Sequence, residues 1–116
     1  MKRDNYTLEG YIKEYGNGNL TLKLDADTIE NINSGRCRDT ALYYIGELLW
    51  SLDTYIIGDP ISLGNYDAGY ILYNVNSDNL YILSGEDINN AESGKMIRLY
   101  AHKPDTEERQ YIEEVM

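Results

Sequence analysis

Phenylalanine is absent from this chain of 116 residues, and cysteine, histidine and tryptophan occur once each. A single cysteine, Cys37, excludes an internal disulfide, so the fold must stand on its core. The opening Met1-Lys2-Arg3-Asp4-Asn5 is not an apolar signal segment. No run approaches the roughly 18 apolar residues that a bilayer-spanning helix needs. A reducing, cytoplasmic setting without membrane association is the simplest expectation. The most extended absence is of cations: no Lys or Arg occurs between Arg38 and Lys95.

Motifs of catalysis and ligation are missing too. No Gly-x-Ser-x-Gly occurs, and His102 is the only histidine, placed before Lys103-Pro104 where a surface role is expected. Cys37, between Arg36 and Arg38, has the electropositive neighbours that favour a thiolate, but its base would have to be His102. Asn74-x-Asn76-x-Asp78 opens like a calcium loop, yet Asn79 stands at the glycine position and Gly85 at the twelfth, so a hairpin turn is expected. Asp25-x-Asp27 with Glu30 reads as helix capping. Ser93-Gly94-Lys95 lacks the upstream glycine of a phosphate loop, and no helix follows Gly16-Asn17-Gly18 as a dinucleotide fingerprint requires. No catalytic residue, metal or cofactor is therefore expected.

What is present fits one globular domain: 42% hydrophobic and 26% charged residues exclude wholesale disorder. Tyr6, Leu8 and Ile12 alternate with Thr7, Glu9, Tyr11 and Lys13, and Leu20, Leu22 and Leu24 alternate with Thr21, Lys23 and Asp25. This period of two describes strands with one buried face. A three-residue loop over 16–18 sets Ile12 opposite Leu22 and Glu14 opposite Leu20, keeping apolar faces together, with Gly18 at positive φ. A short helix is expected over Thr28–Asn33 and a long one over Asp39–Leu52. The long one carries Ala41, Leu42, Ile45, Leu48, Leu49 and Leu52 on one face, with Gly46 on that side explained by close packing. Tyr55–Ile57 reads as a short strand. A second hairpin joins Tyr70–Val75 to Leu80–Leu83, pairing Val75 with Leu80, apolar on both faces and hence covered on both. Gly85–Gly94 is a polar connection with at most one helical turn near Asp87. Lys95–His102 is a final strand, and Asp105 with Glu108 has the spacing of a capping box for a C-terminal helix with Tyr111, Ile112, Val115 and Met116 on its apolar side. The fold class is α+β, with an antiparallel sheet of about five strands packed by one main helix.

Function must then be sought in binding. The formal net charge is −10. Such a surface repels nucleic acid unless a local basic patch overrides the global field, and it favours a basic protein as partner. Loop acids in the cation-free stretch, Asp53, Asp59, Asp67, Asp78, Glu86, Asp87 and Glu92, make one negative surface if they share an end of the sheet, although Asp in loops is also ordinary turn chemistry. Twelve tyrosines supply apolar area with polar tips, suited to interfaces or to core margins. Tyr66 and Tyr70 flank Asp67 and join the candidate contact set. The expectation is a non-enzymatic inhibitor, immunity factor or nucleic-acid mimic occupying a basic nucleic-acid-binding protein. The alternative is an adaptor or structural module, such as a homodimer, associating through a Tyr-rich surface or sheet edge.

Overall fold

The computed structural model describes residues 3–35, 38–58 and 69–116. The expected loop over 16–18 forms: Tyr15 N–H donates to Asn19 O at 2.9 Å, and Gly18 sits at φ +91°. It joins β2 (Gly10–Glu14) to β3 (Leu20–Leu24), with Ile12 opposite Leu22 and Glu14 opposite Leu20 as the parity of apolar residues requires. The segment before it departs from expectation. It is not one strand but a tight hairpin, β1 (Arg3–Tyr6) turning back onto β2. Thr7 and Gly10 exchange backbone hydrogen bonds across the turn, which leaves Leu8 90% exposed. Gly10 permits this turn: its φ is +151°, and a β-carbon there would lie 2.2 Å from the backbone oxygen of Lys23.

Two helices follow. Asp25 caps α1 (Ala26–Gly35), its Oδ1 accepting the Thr28 N–H at 2.7 Å. This helix is longer than the expected Thr28–Asn33: the Asp25 cap starts it two residues earlier, and Ile29 and Ile32 turn to the core. The main helix, α2 (Arg38–Trp50), buries Ala41, Ile45, Leu48 and Leu49 on the periodic face, with Leu52 just beyond. Gly46 does not need to be glycine: a β-carbon there would meet Ile56 Cδ1 at an ordinary 3.6 Å. Removing backbone freedom in the unfolded chain should make Gly46→Ala about 0.5–1 kcal/mol more stable, read as a higher urea midpoint at unchanged m-value.

A second sheet runs β4 (Thr54–Gly58), β5 (Gly69–Asn74), β6 (Asn79–Ser84), all antiparallel, with a bulge between Ile56 and Gly58. The β5–β6 register differs from expectation. Tyr73, not Val75, faces Leu80, because Asn74 is buried and pairs with Asn79. Its Nδ2 donates to Leu52 O and Thr54 Oγ1, while its Oδ1 accepts the N–H groups of Asn76 and Ser77. The loop is thus Val75–Asp78, closed by Asp78 at φ +59°. Both faces of the hairpin are covered, as its apolar composition predicts.

The polar stretch after β6 is a helix, α3 (Gly85–Glu92), with a full capping box between Ser84 and Asp87 and only Ile88 and Ala91 buried. β7 (Ile97–Leu99) then pairs with β3, completing a four-stranded sheet of order β1-β2-β3-β7. A few residues on, His102 bridges to Leu80, so this segment joins both sheets. The predicted capping box of Asp105 and Glu108 opens α4 (Thr106–Val115). Ile112 is buried against Ile71, Tyr73 and Leu80, whereas Val115 and Met116, expected on the apolar side, are exposed. The result is an α+β fold of seven strands in two sheets and four helices among the described residues. The main core gathers the inner face of the four-stranded sheet, α1 to α3 and one face of the second sheet.

Candidate functional site

Alternation fixes what the four-stranded sheet turns outward. Ile12, Leu20, Leu22, Leu24, Ile97 and Leu99 face the core, so Tyr11, Lys13, Thr21, Lys23 and Arg98 face away. No helix lies over this side among the described residues; α1 to α3 pack on the inner one. Cross-strand pairing sets Asp4, Lys13, Thr21 and Arg98 in one row. Tyr6, Tyr11 and Lys23 form a second row.

The tyrosines of this face are paired with each other and with cations. Rings of Tyr6 and Tyr11 lie 4.9 Å apart at 42°, and Lys13 Nζ stands 5.0 Å from the Tyr15 ring centre. Tyr6 is 78% exposed and Tyr100 67%, whereas Tyr73 and Tyr81 of the second sheet are buried. Burial and the carboxylate of Asp4 push the Tyr11 phenol up. At one end of the face Tyr15, Asn19, Thr21, Arg98 and Tyr100 bound a hollow of about 620 Å³. At the other, Tyr6, Tyr11 and Lys23 with the start of α1 bound one of about 430 Å³. Thr21 is 5% exposed, and its Oγ1 has no hydrogen-bond partner among the described residues. An unpaired buried hydroxyl is costly, so it is a feature that calls for explanation.

The loop acids are distributed differently. Asp53 and Asp78 lie at the β5–β6 turn end of the second sheet, while Glu86 and Asp87 lie past the other end of β6, a strand length of roughly 20 Å away. They do not make one patch. Tyr70, the second residue of β5, packs against the main core, and Glu92 closes α3, half-buried. Glu86 is exposed. Asp59, Tyr66 and Asp67 lie outside the described residues, as does Cys37.

Several of these acids hold the fold. Asp53 accepts from Asn76 Nδ2 at 2.7 Å, and Asp87 completes the α3 cap. Asp78 takes both guanidinium nitrogens of Arg109, at 2.5 and 2.6 Å, and the Tyr73 hydroxyl at 2.6 Å. These donors hold its carboxyl well below the usual carboxylate range, and the hydrogen bond to that carboxylate, with burial, pushes the Tyr73 phenol up. With the folded value depressed, the contribution is complete above the ordinary Asp range and is lost as pH falls below it. Asp78→Asn should therefore flatten the acid limb of the stability–pH curve, measured by urea midpoints from neutral pH downward, by a modest amount because the pair is partly exposed.

His102 is half-buried rather than on the open surface. Its Nε2 lies 3.1 Å from Oε2 of the buried Glu108, whose Oε1 accepts the Asp105 N–H. The pair anchors α4. Among the described residues no cluster of three His, Cys, Asp or Glu is placed to hold a metal ion, and no helix is long and apolar enough to cross a membrane. The outward sheet face was not singled out by sequence reasoning. Its signal was present in tyrosines and lysines occupying the polar positions of the alternation, but their union with Arg98 and Tyr100 depends on the distant β3–β7 pairing. Comparison of the chain with protein-family models, with curated proteins and with solved structures finds no match.

Proposed function

We propose that this chain is a non-enzymatic binding protein that meets its partner through the open face of the four-stranded sheet. The carrying observation is the set of exposed tyrosines, Tyr6, Tyr15 and Tyr100, interleaved with Lys13, Lys23 and Arg98. Aromatic and Arg side chains are the usual anchors of interfaces, and rigid tyrosines lose little entropy on contact. This reading develops the adaptor alternative, in which association runs through a Tyr-rich surface.

A second reading keeps the acidic-inhibitor expectation, with a basic protein held by carboxylates. It is supported by the exposed Glu107, Glu113 and Glu114 of α4 and by the cation-free stretch of sequence. One pull-down separates the two. The bait is the wild-type chain, a Tyr6→Ser/Tyr15→Ser/Tyr100→Ser variant, or a Glu107→Lys/Glu113→Lys/Glu114→Lys variant. Loss of the bound species in the tyrosine variant alone supports the sheet face. Loss in the charge-reversal variant alone, with strong salt sensitivity, supports the acidic reading and removes the first.

A further inference from the structure

We infer that the occupant of the open sheet face is single-stranded nucleic acid, with one nucleotide seated in the hollow bounded by Tyr15, Thr21, Arg98 and Tyr100. The inference rests on the sheet face being the contact surface and names what it contacts.

Charge supplies the first argument. In a chain with twenty acidic residues, the described residues that bound this hollow include Arg98 and no carboxylate. Lys13 and Lys23 stand on the same face, with Asp4 the one acid in its cross-strand rows. The net charge of −10 opposes a polyanion only as far as its field reaches. The acids of α3 lie on a helix that packs on the inner side of the sheet, and the acid at the start of α1, its cap Asp25, bounds the hollow at the other end of the face and not this one. The basic patch that a nucleic-acid ligand requires is therefore local to this face.

The second argument is chemical. Exposed tyrosine rings stack on bases without regard to sequence, and adjacent cations follow the phosphates. Thr21 adds a hydroxyl that is buried, unpartnered and flanked across the strands by Lys13 and Arg98. Beside a guanidinium, an O–H donor suits a phosphate oxygen or a base carbonyl. Occupancy would satisfy a buried hydroxyl of this face that has no partner among the described residues.

Competing occupants fit less well. A second copy related by a twofold axis would set one mainly cationic face against another, with Asp4 the one acid of these rows to offset Lys13, Lys23 and Arg98. An acidic peptide would match the cations, but extended peptides add at sheet edges through main-chain bonds, not across a face.

The test is fluorescence anisotropy with a labelled oligothymidylate about a dozen nucleotides long, and its RNA counterpart, at about 50 and about 200 mM salt. Three phosphate contacts predict a slope of about −2 in log affinity against log salt, or a loss of roughly twenty-fold over that range. Arg98→Ala should reduce the slope by about 0.7. Tyr15→Ala and Tyr100→Ala should each weaken binding by roughly ten-fold with unchanged circular dichroism. Thr21→Val should weaken binding yet raise the melting temperature, since it deletes an unpaired buried hydroxyl; a merely structural threonine would lower the latter. No binding at the lower salt overturns the proposal, as does equal competition by oligoglutamate. If the tyrosine bait variant still loses its partner in that case, only the occupant falls; if it does not, the sheet-face reading falls as well.

Discussion

Gly10→Ala should destabilise the protein by about 2–4 kcal/mol, a large share of the 5–15 kcal/mol typical of a domain. Two costs combine. At φ +151° the backbone occupies a region that side chains avoid. The added carbon would also sit 2.2 Å from Lys23 O and 2.9 Å from Leu24 Cα, both backbone atoms that cannot rotate aside. Relief requires β2 and β3 to part where Gly10 pairs with Leu24 and where Asp25 N–H donates to Glu9 O. Asp25 is also the cap of α1, so the disturbance passes into the helix. A melting temperature lower by roughly 10 °C is the expected result. Gly46→Ala is the internal control, with the opposite sign. A Gly10→Ala chain as stable as wild type would mean that the β1–β2 turn is not built as described.

Replacing Tyr81 by phenylalanine should give a stability difference that changes sign with pH. The Tyr81 hydroxyl is buried and donates to Gly18 O at 2.6 Å, tying the β2–β3 turn to the second sheet. At neutral pH its loss leaves a carbonyl unpaired and costs about 1–2 kcal/mol. Burial, reinforced by the charge of Glu14, pushes the phenol up to about 12 from its ordinary 10. Between those values the unfolded chain has released the proton while the native one retains it, so the wild type loses stability as pH rises through this window. The full loss is roughly 2–3 kcal/mol. The phenylalanine chain has no such group, and the remaining tyrosines are common to both. Urea midpoints at neutral pH and near pH 12, where most of that loss has been realised, should therefore rank the two proteins in opposite order. A difference that stays constant across the range would remove the account of this bond.

Local order was well written in the sequence. The parity of Ile12, Leu20 and Leu22 fixed both strand register and loop length, because a one-residue slip would expose every leucine. Asp105 and Glu108 announced α4 by their spacing. Where apolar alternation ran on through a turn, the reading failed: Leu8 continues the pattern past Tyr6 although it is exposed, and the turn is set by Thr7 with Gly10. Helix α3 was hidden because Ser84-x-x-Asp87 is a less familiar capping pair and only Ile88 and Ala91 mark its buried side. The β5–β6 register turned on the buried amide of Asn74, whose partners Leu52 and Thr54 are far away in sequence. Of the candidate site, the individual tyrosines and lysines were visible, but not their common face. That depends on β7 joining β3, a contact that no local pattern encodes.

That junction also governs how the chain assembles during synthesis. The hydrogen bond from Ala101 N–H to Asn19 Oδ1 spans 82 positions. At ribosomal speeds of roughly 5–20 residues per second, β3 must wait roughly 4–16 s for its neighbour. Throughout that interval its outer edge is an unpaired strand rich in leucine, open to any other nascent strand. The last quarter of the chain therefore decides whether the first quarter stays soluble, and interruption of translation before β7 should yield aggregates rather than a smaller folded protein.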